Sequence, residues 1–265
     1  MSITTLDGLI AAPKQRVQYF KSASRTSVAA FPFSMFDLAG QPGAGVLAGA
    51  NTANGVKPDD SVAGFPIINA FGGAARGYIS KVEFANTVAG WLDLYDCLFK
   101  AGAYAFNASV ALTSQPAYSS RIPSGTDYTG LQIWVEQVTA ATLNQAVNVT
   151  YTNQAGTTGK TTGATGIGAA PTVGRMWQLP LAAGDSGVQK IENVVGSVAS
   201  AGTFNVLVLR PLWSGRVNLV NAGDVHDMLK TGLVEVWTDS ALFPVFSADS
   251  TSTGIPELMI EIANG

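Results

Sequence analysis

Few residues of this sequence have the types and spacing that catalysis requires, and the carboxylates come first. Asp93 and Asp96 stand three residues apart in an alternating apolar run. Successive residues of a β-strand point to opposite faces, so this odd spacing separates the two side chains. One strand therefore does not supply the paired carboxylates of glycoside hydrolysis. Acids from two different strands can still share a cleft, which leaves a hydrolase as an alternative.

The chain contains one His and one Cys. A Ser-His-Asp triad would have to use His226, which lies between two Asp residues in a predicted surface helix. Cys97 lies in an apolar run, which predicts a buried small hydrophobic residue. These counts exclude zinc sites built from nitrogen and sulfur ligands, and they exclude an internal disulfide. We therefore expect no catalytic residue, no metal and no cofactor.

Residues 154–161 end in Gly-Lys-Thr, as a phosphate-binding loop does. That motif requires Gly at its first position, where this sequence has Gln154. It also requires a helix to begin after the lysine, and the Gly-rich residues 162–168 do not favour one. We expect residues 154–170 to form a flexible hairpin loop that binds no nucleotide.

The five Trp residues offer another kind of chemistry, which is stacking against sugar rings. A row of them exposed on one sheet face would indicate a carbohydrate-binding receptor module. Large β-sandwiches also bury Trp, and packing in the core or in a subunit interface is favoured here. The residues are Trp91, Trp134, Trp177, Trp213 and Trp237.

The composition indicates a globular protein whose surface carries few charges. Of 265 residues, 47% are hydrophobic and 12% are charged, which is about half the usual charged share. Such a chain can bury a full core. Its low charge and ordinary apolar share exclude an intrinsically disordered protein of high net charge, and its composition is not that of a coiled coil. Its 15 Lys and Arg against 18 Asp and Glu disfavour specific nucleic-acid binding. A low-charge surface is poorly protected against association, so we expect a homo-oligomer.

The start of the sequence lacks the basic and apolar pattern of a secretion signal, and no run of 18 apolar residues occurs. We therefore expect a protein that is made inside a cell and does not cross a membrane.

The two ends of the sequence carry opposite charge. Residues 1–30 contain four cations and one acid, a balance of +3, and residues 221–265 contain seven acids and one lysine, a balance of −6. This predicts an N-terminal arm that docks on an acidic face of its own or a neighbouring subunit, with a solvated arm as the alternative. The candidate inter-subunit cations are Lys14, Arg16, Lys21 and Arg25.

Residues 31–75 are rich in Gly, Ala and Pro and show neither helical nor strand periodicity. The Phe residues among them indicate an extended segment that is pinned onto a surface. We therefore predict that residues 1–75 form an extended N-terminal arm and loop region. The anchoring residues are Phe31, Phe33, Phe36, Phe65 and Phe71.

From residue 76 onward, apolar and polar residues alternate as they do in β-strands. Residues 204–209 are apolar almost throughout, which predicts a central strand covered on both faces. A short crossover helix is predicted at residues 224–232, with Asp224 as its N-cap and Gly232 at its end. Short strands joined by Gly-rich turns predict an all-β fold, a jelly-roll-like antiparallel β-sandwich over residues 76–265. The predicted strands are residues 78–84, 91–99, 131–136, 147–152, 204–209, 234–237 and 257–262.

Six stretches of the sequence, each a turn or a strand, share one order along the chain with proteins of a known kind. They are residues 39–45, 92–96, 149–156, 159–161, 179–188 and 204–212. Taken in that order, they resemble a set of virion proteins of tailed bacteriophages. The resemblance implies a structural role in the particle rather than catalysis. It implies a capsid decoration, cement or minor capsid protein that is made in the host cytoplasm, is located in the virion and has the major capsid protein as its partner. A tail, collar or fibre-base protein is the alternative.

Overall fold

A computed structural model describes residue 3 and residues 5–72, 76–166, 172–197 and 201–265 of the chain. The structure is 48% strand and 6% helix, with antiparallel sheets, which confirms the predicted all-β sandwich class with few helices.

The strands and helices divide the described residues as follows. In chain order the strands are β1 (Lys14–Lys21), β2 (Pro32–Ser34), β3 (Gly40–Gln41), β4 (Arg76–Asn86), β5 (Gly90–Ala105), β6 (Ser109–Ala111), β7 (Gln132–Thr139), β8 (Ala146–Asn153), β9 (Lys160–Thr161), β10 (Thr165–Gly166), β11 (Met176–Leu179), β12 (Val188–Gly196), β13 (Thr203–Val217), β14 (Ala222–His226), β15 (Glu235–Trp237), β16 (Leu242–Ala248) and β17 (Glu257–Asn264). The α-helices are α1 (Leu6–Ala11) and α2 (Met228–Thr231), and two 3-10 turns span Ser119–Arg121 and Pro123–Gly125.

These strands form three sheets. The central sheet has the order β11-β7-β13-β5-β16-β2. The first sheet has the order β14-β4-β17-β1-β3, with β15 also paired to β4. The third sheet has the order β10-β8-β12-β6, with β9 also paired to β8. Separate hydrophobic cores join the first and third sheets to the central sheet, so the described chain has three sheets where a simple sandwich has two.

β13 runs through the middle of the central sheet, and it pairs with β5 on one side and with β7 on the other. Val206 packs in the core shared with the third sheet, and Leu207 packs in a core on the opposite face of the strand. Both side chains are fully buried. The prediction of a central strand covered on both faces at residues 204–209 is therefore confirmed.

A buried ionic cluster lies where the two main cores meet along β5. Leu94 belongs to the core of the first sheet, Leu98 belongs to the core of the third sheet, and Asp96 lies between them with no exposed surface. Guanidinium nitrogens of Arg121 and Arg210 lie 3.6 and 3.8 Å from the Asp96 carboxylate. Charges buried this deeply are tolerated only when they are paired, so the cluster fixes how these segments meet.

The N-terminal residues do not form a separate arm. β1 lies between β17 and β3 in the first sheet, and Val17 and Tyr19 are buried in its core. β2 forms an edge of the central sheet. The alternation of Val17 and Tyr19 with polar residues makes residues 14–21 a strand, because both side chains gain from burial. Strands from both sides of residue 75 share sheets, so the structure shows no division there.

Most of the aromatic residues of the 31–75 segment act as anchors. Phe33, Phe36, Phe65 and Phe71 are buried, whereas Phe31 is 42% exposed. The rings of Phe36 and Phe65 pack with their centres 4.8 Å apart, and both lie against β16. This extended segment is thus held on the surface of its own chain.

The helix near residue 228 is shorter than the sequence predicts. Residues 222–226 form β14, which pairs with β4, and the helix is confined to Met228–Thr231. Its N-cap is Asp227 rather than Asp224, because Asp227 Oδ1 accepts a hydrogen bond from the Leu229 backbone N–H at 3.0 Å. Gly232 ends the helix with a φ of 65°, as predicted. α2 joins two partners of the same strand β4, so it is not a crossover connection.

Candidate interaction surface

Residues of the short helices α1 and α2 line one apolar groove, and we call this groove together with the exposed apolar residues of the two helices the helix-pair surface. Leu6 in the groove is 56% exposed, and Ile10 of α1 and Leu229 of α2 are 66% and 84% exposed. The groove has a volume of about 260 Å³. Burying one such side chain against a partner stabilises the contact by about 1.5–3 kcal/mol. The apolar side chains that line the groove are Ile3, Leu6, Leu9, Met228 and Leu233.

α1 is fixed at both ends and by one buried side chain. Thr5 Oγ1 accepts a hydrogen bond from the first turn at 3.0 Å. Lys14 Nζ donates to the carbonyl oxygens of Leu9 and Ile10 at 3.0 and 3.1 Å, where a helix C-terminus favours a cation. Leu9 is buried, so the helix keeps Leu6 and Ile10, which are one turn apart, on its free face.

α2 is anchored to the first sheet by a hydrogen bond to β4. The buried Thr231 hydroxyl donates to the Ile79 carbonyl oxygen of β4 at 2.7 Å. This attachment leaves Leu229 facing away from the sheet, and it is the most exposed large apolar residue of the described chain. The described lining of the groove contains no titratable group, so the surface suits apolar contact rather than proton transfer.

The cations that the sequence proposes as inter-subunit contacts have mainly intramolecular partners. Lys14 caps α1, as described above. Arg25 pairs with Asp37 and also donates to a backbone carbonyl oxygen at 3.0 Å. Arg16 differs from them, because its side chain is 62% exposed and lies 4.0 Å from Glu261. Of these three, Arg16 is the one whose guanidinium is open to a partner chain.

Lys21 is corrected from an inter-subunit cation to a buried structural residue. Its side chain is fully buried, and Nζ donates to the carbonyl oxygens of Leu38 and Pro42 at 2.9 and 3.0 Å. The ammonium also lies 5.0 Å from the centre of the Tyr19 ring. Desolvation lowers the pKa of Lys21 to about 8. An enclosed ammonium of this kind ties β1 to the chain on both sides of β3 and does not reach another subunit.

The two aspartates considered for hydrolysis do not share a cleft. Asp96 is enclosed by arginines, and its Oδ2 accepts a hydrogen bond from Ser240 Oγ at 2.8 Å. Asp93 is half-buried, and desolvation raises its pKa, while a hydrogen bond from Ser214 works in the opposite direction. Odd spacing along β5 places the two carboxylates on different faces of the strand.

His226 lies on β14 rather than in a surface helix, and its ring is packed. Nδ1 accepts a hydrogen bond from Trp213 Nε1 at 3.0 Å, and the ring stands edge-on to Phe84 with centres 5.0 Å apart. Nε2 lies 3.5 Å from the carboxylate of Asp224. These contacts give His226 a structural part in joining β13 to β14.

The Trp residues are divided between the core and the surface. Trp134 and Trp213 are buried, at 6% and 7% exposure, and Trp177 and Trp237 are half-buried. Trp91 is 47% exposed and is covered in part by the Arg216 guanidinium, 5.6 Å from its ring centre. Within the described ranges one exposed Trp stands alone, so they lack the row that would indicate a sugar-binding face.

Residues 154–159 connect β8 to β9 in a hairpin, as predicted, whereas the flexibility expected of this loop stays a prediction. Lys160 and Thr161 make up β9, which pairs with β8, so a strand follows Gly159 where a phosphate loop would begin a helix. The Gly159 backbone N–H donates to Glu192 at 3.1 Å, which fixes the turn to β12. The last part of the predicted loop, residues 167–170, lies outside the described residues.

Two further observations concern clusters of metal ligands and the lengths of the helices. Within them, no three His, Cys, Asp or Glu side chains gather as metal ligands. The helices found there have six residues at most, far fewer than the roughly 20 needed to cross a bilayer.

Comparison with known proteins gives no assignment of family. No protein-family model matches the chain, and no curated protein matches it. Among solved structures, the VP2 subviral particle of infectious bursal disease virus aligns at 9% identity with a TM-score of 0.20. A structure of the Gt strain of the same virus aligns at 9% identity with a TM-score of 0.18. Each alignment covers 96% of this chain and 80% of the viral chain. Likeness at this level carries no argument about function, which is therefore argued from the surface of the molecule.

Proposed function

We propose that this chain is a structural subunit of a tailed-bacteriophage particle, where it acts as a capsid decoration, cement or minor capsid protein. The observation that carries the proposal is the helix-pair surface, where α1 and α2 line an apolar groove and expose Leu6, Ile10 and Leu229. An apolar surface of this kind on a folded domain marks a site of protein contact. The low charge of the sequence and its resemblance to tailed-phage virion proteins support the same conclusion.

The contact itself is passive. The neighbouring chain covers the groove between α1 and α2, and water is released from the apolar side chains. α2 is tied to the first sheet through Thr231 and α1 buries Leu9, so the surface is presented without a large ordering cost. The helix-pair surface therefore serves adhesion between subunits rather than chemistry.

The experiment that tests the function is imaging of particles. Particles of a phage that encodes this chain are labelled with an antibody to it and viewed in negative stain. We expect label on the capsid shell, with the major capsid protein as the neighbour. Label on the tail, collar or fibre base would favour the alternative location, and purified particles without label would contradict the proposal.

The contribution of the helix-pair surface is tested with a double variant, Leu6→Ser with Leu229→Ser. We expect a lower average mass by light scattering, because two large apolar contacts are lost. Leu143→Ser is the matched control, because Leu143 is also 53% exposed but lies outside this surface. An unchanged mass in the double variant would show that the helix-pair surface is not a contact between copies.

A further inference from the structure

Three buried polar side chains meet on one face of the central sheet. Glu136, Asn205 and Lys100 lie on the adjacent strands β7, β13 and β5. Asn205 pairs with Glu136, and Lys100 pairs with Leu207, two residues further along β13. Paired residues, and residues two apart on a strand, point to the same face of a sheet, so the three side chains share one face. Glu136 and Asn205 have no exposed surface, and Lys100 is 6% exposed.

One carboxylate oxygen contacts both of the other groups. Lys100 Nζ lies 3.5 Å from Glu136 Oε2, and Asn205 Nδ2 donates a hydrogen bond to the same oxygen at 2.8 Å. The second oxygen, Glu136 Oε1, is buried and has no hydrogen-bond partner among the described residues. A carboxylate that contacts both an amine and an amide nitrogen can carry protons from the first to the second. Glu136 is therefore placed to act as a proton carrier between these two nitrogens.

The carboxamide of Asn205 is oriented and polarised by the chain that covers it. Nδ2 donates a second hydrogen bond to the Leu47 carbonyl oxygen at 2.7 Å. Oδ1 accepts a hydrogen bond from the Gly49 backbone N–H at 2.8 Å. A fixed donor on a carbonyl oxygen stabilises the negative charge that develops there when a nucleophile attacks the carbon. The amide is thus held as an electrophile, with its nitrogen against Glu136.

Lys100 is the nucleophile that this arrangement offers. Its Nζ also donates to the Val46 carbonyl oxygen at 3.4 Å and lies 4.6 Å from the centre of the Phe36 ring. Cover of this kind excludes water, which would compete with the amine for the electrophile. Transfer of a proton from the ammonium to Glu136 leaves a neutral amine, which is the nucleophilic form of lysine.

We propose that an isopeptide bond forms between Lys100 Nζ and Asn205 Cγ within the folded chain. Lys100 gives a first proton to Glu136, and its amine then attacks Cγ. The attacking nitrogen gives up a second proton, and the bond between Cγ and Nδ2 breaks. Glu136 delivers both protons to Nδ2, which leaves as ammonium. One C–N bond forms and one breaks, so the step needs no oxidant, reductant or further reagent.

The product is a covalent tie in the middle of the central sheet, because β13 and β5 are its two innermost strands. The bond joins residues 100 and 205, so it closes a loop of about 105 residues and restricts the unfolded chain as a disulfide of that span would. The one cysteine of the sequence cannot supply an internal disulfide. An isopeptide bond therefore gives this chain a cross-link that its cysteine content does not, and the inference does not depend on the proposed function.

The test is the mass of the full chain, measured under denaturing conditions. We expect the wild type to weigh less than its sequence by one ammonia, about 17 Da. After digestion with trypsin, a branched species should join residues 82–121 to residues 191–216, without cleavage after Lys100. Lys100→Arg keeps a cation beside Glu136 but removes the amine, so we expect this variant to have its full mass. Lys21→Met is the matched control, because it removes another buried lysine and should keep the cross-link.

A second variant tests the part of Glu136. Glu136→Gln keeps Lys100 and Asn205 but cannot carry a proton, so we expect a cross-linked fraction at least about tenfold smaller than that of the wild type. Glu192→Gln changes a carboxylate of the third sheet and should cross-link as the wild type does. Circular dichroism checks that both variants are folded. A folded Glu136→Gln chain that cross-links as completely as Glu192→Gln would contradict the proton transfer.

The wild type alone decides whether the bond exists. A chain with the full mass of its sequence would overturn the proposal. A mass lower by one ammonia, with residues 82–100 and 191–216 recovered as separate peptides, would overturn it as well, because the ammonia would then have left another residue. Neither result requires a variant to fold.

Discussion

At the scale of single residues, Lys21 shows how a cation can serve the fold from inside. Its ammonium donates to one carbonyl oxygen before β3 and one after it, and desolvation lowers its pKa to about 8. Between pH 8 and 10.5 the unfolded chain keeps the Lys21 proton, which the folded chain has lost. The contribution of this group to the free energy of unfolding therefore rises across that range.

Replacing this residue tests that account. Lys21→Met keeps the apolar stem but orphans the two carbonyl oxygens, so we expect a loss of about 1–3 kcal/mol at pH 7.5. We also expect the gap to the wild type to widen at pH 10, as measured by chemical unfolding at both pH values. Lys81→Met serves as the control, because Lys81 is paired with Glu83 on the outer face of β4. A gap that narrows with pH would mean that folding favours the charged form instead.

The two aspartates of β5 should respond to substitution in opposite ways. Asp96→Asn leaves Arg121 and Arg210 buried without a countercharge, and we expect a loss of about 3–5 kcal/mol. Asp93→Asn removes a carboxylate whose pKa is raised by desolvation, so its charged form opposes folding at neutral pH and the variant should be at least as stable. Thermal unfolding at pH 7 measures both, and equal losses at the two positions would contradict the structure.

At the scale of elements, β13 can be tested because it is covered on both faces. Val206→Asp places a carboxylate in the core, at a cost of several kcal/mol, so we expect an insoluble or unfolded product. Val225→Asp on the exposed edge strand β14 introduces the same group and should leave folding unchanged within about 0.5 kcal/mol. The yield of soluble protein and the melting temperature of each variant measure the difference. A soluble Val206→Asp chain with the melting temperature of the wild type would place β13 at an edge of the sheet.

Alternation predicted most of the long strands, and its failures have physical causes. β12 was not predicted, because bulges shift its register. Its inward residues Val188, Ile191 and Val194 therefore recur every third residue instead of every second. β16 was not predicted, because both of its faces are covered and its residues therefore do not alternate between apolar and polar. Pro244 also interrupts the run. The predicted helix at residues 224–232 lost its first part because those residues pair with β4 and His226 bonds to Trp213.

The helix-pair surface was beyond the reach of sequence reasoning. Leu6 and Met228 are more than 200 residues apart, and they line one groove because α1 precedes β1 and α2 lies between two strands that pair with β4. Four cations in one segment predicted an arm, whereas the structure distributes them into a helix cap, a buried tie, a salt bridge and one exposed guanidinium. Counting charges gives the sign of a segment's net charge, but it does not show which way each side chain points.

At the scale of the whole molecule, the N-terminal segment is part of the fold. β1 pairs with β17 from Lys14 to Phe20, and Val17 and Tyr19 fill the core of the first sheet. α1 lies outside this sheet and contributes Leu9 as its one buried side chain. Strands from opposite ends of the sequence therefore pair in the first sheet, and a cut within the first 21 residues has different consequences on either side of Pro13.

Two truncations separate these consequences. Deleting residues 1–12 removes α1 and half of the helix-pair surface, so we expect a folded chain with a slightly lower melting temperature and weaker association. Deleting residues 1–21 also strips β17 of one of its two partner strands and empties the places of Val17 and Tyr19, a loss comparable with the usual stability of a domain of about 5–15 kcal/mol. We expect that chain to show no cooperative thermal transition by circular dichroism. A cooperative transition at the wild-type temperature after removal of residues 1–21 would show that the segment is an independent arm after all, because the first sheet would then hold together without β1.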